Sequence, residues 1–291
     1  MCADVLIVGP ANADLVVPVE RRPGGGETVL GGDTAIFPGG KGANTAVAAG
    51  RLGADVALLG AVGDDSYGAL LLGSLRDAGV STELVRTTDR PTGIAYITVT
   101  PDGENAILVS PGANSSLRPE DIDNALDGVK VLVASLELPV PTIEHVVAAA
   151  AAKGVRVLLN LSPVAEVSRE TLAALDVLLV NEHEAAWLLG EEPGADPRRL
   201  LELGPRAAVV TLGAAGVVVV EGESLTEVAS PKVEPVDTTG AGDAFAGALA
   251  ASLAAGAGLV EAARRAVKVA AVSVTRHGAQ PSYPTAAELG E

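Results

Sequence analysis

The sequence predicts an α/β protein: a doubly wound, mostly parallel sheet with helices on both faces, plus a small antiparallel β lid. Three observations carry this. Short apolar runs at 5–8, 56–60, 129–134, 155–160, 177–180 and 207–212 alternate with helical patterns at 43–52, 66–78, 142–153, 182–189, 244–253 and 260–275. Hydrophobic residues make up 48% of the chain but aromatic ones only 2%, so the core must be Ala, Val and Leu, which suits strands covered on both faces. Two segments, 14–37 and 92–109, break the rhythm with turn signals at Pro23-Gly-Gly-Gly26 and Pro101-Asp-Gly103. Each leaves the main sheet and returns, which predicts a small second sheet over one edge, as lid or dimer surface.

Taken in order, the run at 5–8 follows Asp4 and has no basic residue before it, so it reads as a first strand and not a signal peptide. The apolar stretch 244–260 is mostly Ala and Gly, too weakly hydrophobic and slightly short for a membrane span. A soluble, cytoplasmic protein is expected. Its 291 residues show no repeat, charged tail or long linker, which predicts one domain over 1–291. A net charge of −17 argues against a nucleic-acid partner. Cys2 is the only cysteine, which excludes an intrachain disulfide and a Cys-rich zinc site.

The conspicuous polar residues follow the strands. Asn12 and Asp14 come after the first, Glu137 after 129–134, Asn160 ends its own, Asn181 follows 177–180, and Thr211 with Gly213 closes 207–212. Singly these are turn or cap residues. In a doubly wound sheet, however, ligands bind outside the carboxyl ends of the strands, so one cleft could collect them all.

Three stretches carry chemistry. Asp237-Thr-Thr-Gly-Ala-Gly-Asp243 stands where a loop becomes a helix. First-turn amides lack intrahelical acceptors, and Gly240 and Gly242 let an anion approach the backbone closely. A loop that only bound phosphate would gain nothing from the charge of Asp243, whereas transfer of phosphate to a hydroxyl needs a base there. The purely structural alternative is a capped helix start with Asp243 as N-cap. Pro38-Gly-Gly-Lys-Gly-Ala-Asn44 opens the helix 43–52 and lacks the first glycine and final Ser or Thr of a Walker A loop. Close backbone approach, the Lys41 cation and the Asn44 amide suit a polyhydroxylated ligand beside Asp14. In Asn181-Glu-His-Glu184, Asn181 and Glu184 fit either a capping box or a site near Mg²⁺, reached through waters. Trp187 is expected in the core.

With Asn12-Ala-Asp14, Gly63-Asp-Asp65, Pro111-Gly-Ala-Asn114 and Thr275-Arg-His-Gly-Ala-Gln-Pro-Ser282 in the same order, the chain resembles the ribokinase-like (PfkB) carbohydrate kinases over nearly its whole length. The glycine-rich Gly39–Asn44 motif together with Asn12-Ala-Asp14 narrows the resemblance to the ribose-specific branch. That implies transfer of the γ-phosphate of ATP to the 5-hydroxyl of D-ribose, with Asp243 as base and the amides of Gly240, Ala241, Gly242 and Asp243 as an anion hole. It implies that Asn12, Asp14, Gly40, Lys41, Gly42, Asn44 and Glu137 hold the sugar. Asn181, Thr211, Gly213, Gly216 and Gly242 would line the nucleotide site, and Glu184 would organise Mg²⁺ through water. The resemblance further implies K⁺ held near Asp237, Thr239, Ser273, Arg276, Gly278 and Ser282, partly by backbone oxygens, and a homodimer through the lid. The family often places Asn or His near adenine where Ala266-Val267-Lys268 stands here. Another kinase of the family, acting on deoxyribose, a ketose or a nucleoside, is the nearest alternative; a non-catalytic sugar or nucleotide sensor is the alternative from another class.

Overall fold

The computed structural model describes residues 3–123 and 125–291, so Cys2 lies outside it. The chain runs through β1 (Val5–Val8), β2 (Asn12–Pro18), β3 (Ala35–Gly39), α1 (Lys41–Arg51), β4 (Val56–Gly63), α2 (Ser66–Asp77) and β5 (Val85–Thr88). It continues as β6 (Gly93–Val99), β7 (Asn105–Ser110), α3 (Glu120–Asp123), β8 (Val131–Ser135), α4 (Val140–Ala152), β9 (Arg156–Asn160) and α5 (Arg169–Ala173). The last third comprises β10 (Val177–Asn181), α6 (Glu182–Leu189), β11 (Ala207–Thr211), β12 (Gly216–Glu221), β13 (Ser224–Ala229), α7 (Ala241–Ala254) and α8 (Leu259–Ser273).

Nine strands form the main sheet in the order β13-β12-β11-β10-β9-β8-β1-β4-β5. Neighbours from β5 to β11 are parallel, and β12 and β13 close the far edge in antiparallel pairing. Side chains alternate across the pleat. Val5 and Ile7 therefore join the core under α1, α7 and α8, while Leu6 and Val8 join the one under α4 and α6. With both faces covered, all four residues of β1 are buried, which is why it reads as an unbroken apolar run.

The scarcity of aromatic residues has its counterpart where α1 and α7 cross. Gly247 of α7 lies so close to α1 that a Cβ there would stand 2.5 Å from the Thr45 carbonyl oxygen and 2.7 Å from Ala48 Cβ. Only glycine permits that approach, and the approach brings the first turns of the two helices together.

The second sheet has the order β3-β2-β6-β7. Its outer pairs are antiparallel and its central pair, β2 with β6, is parallel. The chain passes through α1, β4, α2 and β5 before returning as β6, so no hairpin joins the two. Its register puts Phe37, Asp14, Ala95 and Val109 in one row and Ile36, Leu15, Tyr96 and Leu108 in the next. Adjacent rows face opposite ways.

Some features depart from expectation. α7 begins at Ala241, three residues before the predicted start at 244, because its first turn consists of small residues that read as loop. Strands β5, β12 and β13 fall outside the predicted alternation. β5 is Val85-Arg-Thr-Thr88, with no apolar run, and β12 follows β11 without a helix between. Trp187 is 44% exposed on α6, not in the core. Among the described residues no helix is long and apolar enough to cross a membrane.

Candidate active site

Gly240 is the N-cap of α7 and adopts φ 73, the left-handed region that disfavours side chains. A Cβ there would also lie 2.4 Å from the Tyr283 hydroxyl. Asp243 is therefore not the N-cap; it occupies the third helical position, within the first turn of α7. Ala241 N–H donates to the Thr238 carbonyl at 3.2 Å, so that amide is turned into the loop. The first-turn amides of Gly242 and Asp243 have no intrahelical acceptor, and the would-be Cβ of Gly242 meets nothing within 4 Å. Both Gly242 and Asp243 line a cleft of about 210 Å³.

Asp243 is 6% exposed. Burial holds its pKa above the ordinary value, with Lys41 and the Asn44 amide pulling the other way. Asn44 Nδ2 donates to Asp243 Oδ2 at 2.9 Å, across the α1–α7 contact that Gly247 permits. Lys41 opens α1, and its backbone N–H donates to Glu137 Oε2 at 3.3 Å. Burial alone would lower the pKa of the Lys41 ammonium, but Asp243, Glu137 and Glu184 around it outweigh that and raise it. Burial also raises the pKa of Glu137, against Lys41. Asp14, on β2 of the second sheet, is pushed up to about 7, first by burial and then by the charges of Glu137 and Asp243. Asp243, Glu137 and Glu184 thus surround the one ammonium, and Asp14 stands beside the first two.

The remaining sugar-side candidates lie in the same corner. Asn12 Oδ1 accepts from Asn114 Nδ2 at 2.8 Å, and the Asn114 amide also bonds the Ala11 backbone. Gly40 caps α1 and Gly42 lies in its first turn, against Gly9. The second sheet is tied to the main one by Asp65, the N-cap of α2, which accepts Thr92 N–H at 2.8 Å and the Thr92 hydroxyl at 2.7 Å. Those hydrogen bonds hold the Asp65 carboxyl below its usual range although its burial acts the other way.

On the opposite wall, Asn181 and Glu184 form the capping box: Asn181 Oδ1 accepts Glu184 N–H at 2.8 Å, and Glu184 Oε2 accepts Asn181 N–H at 2.8 Å. Both side chains line the cleft as well, with Lys41, Asn160, Ser162 and Thr211. Gly213 and Gly216 do not; they stand in the turn between β11 and β12, where Leu212 N–H donates to the Gly216 carbonyl. Ser162 and Thr238 were missed by the sequence reading, although Ser162 follows a strand end as the other cleft residues do.

The candidate cation residues divide. Asp237 accepts Thr239 N–H at 2.9 Å and Gly278 N–H at 2.8 Å, joining two loops beside Gly240. Those bonds bring its pKa down against its burial. The hydroxyls of Ser273 and Ser282 donate to the Ala270 and Ala279 carbonyls, and the Arg276 guanidinium pairs with Glu288 at 2.8 Å. Among the described residues no group of three or more His, Cys, Asp or Glu is placed to hold a metal ion.

A match to the pfkB family of carbohydrate kinases spans residues 3–286. The chain is similar to the ribokinase of Bacillus subtilis (strain 168), 39% identical over 292 residues that cover 99% of this chain and 98% of that protein. Its fold is similar to the crystal structure of ribokinase from Thermotoga maritima, with TM-score 0.91, 33% identity and coverage of 99% and 98%. It is equally similar to the structure of Arabidopsis thaliana ribokinase complexed with ribose and ATP, with TM-score 0.92, 30% identity and coverage of 99% and 98%. A family match across the whole fold, with an acidic residue beside a glycine turn at its cleft, settles the kinship: the chain belongs to the pfkB family of carbohydrate kinases.

Proposed function

We propose that this protein transfers the γ-phosphate of ATP to the 5-hydroxyl of D-ribose. One observation carries the reading: a buried carboxylate, Asp243, shares a helix turn with the amides of Gly242 and Asp243 at the edge of a cleft. The sugar hydroxyl is far too weak an acid to ionise unaided. Asp243 takes its proton as the oxygen bonds to the γ-phosphorus and the bond to the β–γ bridging oxygen breaks, releasing ADP. The turn amides hold the charge on the moving phosphoryl group. Asn12, Asp14, Gly40, Lys41, Gly42, Asn44 and Glu137 bind the sugar, and the second sheet closes over it to exclude water.

Asn181 and Thr211, with Gly213 and Gly216 behind them, receive the nucleotide. Glu184 keeps one carboxylate oxygen beyond its capping bond, which suits a water-mediated contact to Mg²⁺ carried on the phosphates. When bound, that ion offsets the negative charge of the phosphates. The oxygen-rich loops at Asp237–Thr239 and Ser273–Ser282 suit a large monovalent cation such as K⁺, with the Asp237 carboxylate as its charged member. Work on ATP suits the cytoplasm. The row Ile36, Leu15, Tyr96, Leu108 turns away from Asp14, and Leu108 is 70% exposed. We assign that face to a second copy of the chain, and a monomer in sedimentation would refute it.

A coupled ADP-release assay across a panel of pentoses, hexoses and nucleosides tests the function. Release should depend on ribose, stay low without sugar, and fall when K⁺ is replaced by tetramethylammonium. Equal turnover with and without sugar would sink the reading, and a better acceptor than ribose would move the substrate. An unchanged rate in tetramethylammonium would remove K⁺.

A further inference from the structure

The connections that carry β6 and β7 away from the main sheet and back meet at a cavity outside the cleft. Asp89, Arg90 and Pro91 lead from β5 toward β6, and a short helical turn, Gly112–Ser116, follows β7. Ala113 N–H donates to the Pro91 carbonyl at 2.8 Å, which joins the two connections. Together they line a cavity of about 440 Å³ with three guanidiniums (Arg86, Arg90 and Arg118), three hydroxyls (Thr88, Ser115 and Ser116) and one carboxylate, Asp89. None of these residues lines the cleft around Asp243.

The charge gathered here runs against that of the chain, which is −17 overall. Arg86 is engaged: it pairs with Asp121 at 3.2 Å and donates to the Ser116 carbonyl, which fastens β5 to the helical turn. Arg90 and Arg118 are exposed, and among the described residues neither guanidinium has a hydrogen bond or ion pair. Arg21, Arg206, Arg265 and Arg276, by contrast, each hold a carboxylate. A concave surface lined by charge of one sign concentrates ions of the other, and the planar fork of arginine matches a phosphate group with paired hydrogen bonds. The cavity is larger than the cleft, at about 440 against 210 Å³, so it has room for an organic body beyond the phosphate. The hydroxyls can both donate and accept, and Asp89 can accept from an alcohol. That carboxylate also disfavours a polyphosphate, which would bring further negative charge to it.

We propose that this cavity is a second, non-catalytic binding site for the phosphomonoester of a small sugar or polyol. Arg90 and Arg118 hold the phosphate, and Thr88, Ser115, Ser116 and Asp89 meet the hydroxyls. Because its groups come from both connections, an occupant braces the place where β6 and β7 join the body of the protein. The site shares no residue with the cleft, so it stands independently of the kinase reading.

Titration calorimetry in about 0.15 M salt, where exposed charges are screened, tests the proposal. The probes are ribose 5-phosphate, inorganic phosphate and ribose. The proteins are the wild type, Arg90→Ala, Arg118→Ala and the double variant, with thermal melting as the folding control. Both arginines are exposed and unpaired, so the variants should melt as the wild type does. Each single change should weaken ribose 5-phosphate binding at this site ~10-fold or more, as expected for loss of a charge-assisted hydrogen bond. The double variant should lose that component and keep any that belongs to the cleft. Inorganic phosphate should bind ~10-fold more weakly than the ester, and ribose should show no heat that depends on the arginines. Hydrogen exchange at 89–92 and 112–118 should slow with ribose 5-phosphate in the wild type and not in the double variant. Identical titrations in the wild type and the double variant, or protection that survives in the double variant, would overturn the site. Inorganic phosphate binding as tightly as the ester would overturn the assignment to an ester. None of these outcomes touches sugar-dependent ADP release, which tests the kinase reading separately.

Discussion

Two sides of the site are built on opposite electrostatic terms: Lys41 and Asp243 reach the cleft from one, backed by Asp14 and Glu137, and Asn181, Glu184 and Thr211 from the other. On the first side, Glu137 and Asp243 crowd around Lys41, with Asp14 beside those two carboxyls, and burial raises the pKa of all three. On the β10–β11 side, Asn181 and Glu184 complete a helix cap that the fold needs anyway, with Thr211 at the neighbouring strand end. The first side carries charge that does not help the chain fold. The second would use ordinary folding devices as the binding groups proposed above. Substitutions on the first side should therefore cost activity more than stability, and substitutions on the second can cost both.

The largest effect tests that difference directly. Asp243→Asn keeps shape and removes the proposed base, so kcat should fall by ~10²–10⁴. Nucleotide affinity, measured by titration calorimetry, should change little. The melting temperature should not fall, because the variant no longer buries a carboxyl whose charged form is penalised. A kcat near the wild-type value would break the division between the two sides at its strongest point.

Glu184→Gln sharpens the other side. Glutamine can keep the capping-box bond to the Asn181 backbone, so charge is removed while the cap is retained. The Mg²⁺ concentration needed for half-maximal rate should rise ~10-fold, the low end of the effect of losing an outer-shell partner. Stability should stay within ~0.5 kcal/mol. Glu184→Ala should add a loss of ~1 kcal/mol from the cap, read by urea unfolding. Were the Mg²⁺ requirement of Glu184→Gln unchanged, Glu184 would be a cap and nothing more.

How far the sequence revealed this arrangement follows from the range of each interaction. Buried parallel strands announce themselves as apolar runs, so β1, β4 and β8 to β11 were legible. The edge strand β5, with Arg86 and two threonines, shows no such run. Asp243, Lys41 and Asn44 stood out because glycine turns at helix starts are local signals. Periodicity gave the helical phase of Trp187 but not which side of α6 would be covered, and that side is open. A hydrogen bond between the Ser74 and Gln280 side chains spans 206 positions, and no local pattern encodes it. The Tyr283 hydroxyl, which donates to the Gly240 carbonyl at 3.0 Å, is likewise a product of packing.

The smallest expected effect concerns Asp14, where function and stability oppose each other most plainly. Its pKa stands at about 7 in the folded chain against an ordinary value of 3.8. Between those two values the folded state holds a proton that the unfolded chain has released. Stability contributed by that proton is fully present below pH 3.8 and is lost as pH rises through about 7. Asparagine at this position has no such proton to lose. The melting temperature of Asp14→Asn minus that of the wild type should therefore be near zero at pH 4 and climb to roughly 2–4 °C by pH 8. The variant should meanwhile bind ribose more weakly, having lost an ionisable acceptor for a sugar hydroxyl. A flat difference across that range would mean that the Asp14 carboxylate is well solvated, and that crowding of charge is confined to Glu137 and Asp243.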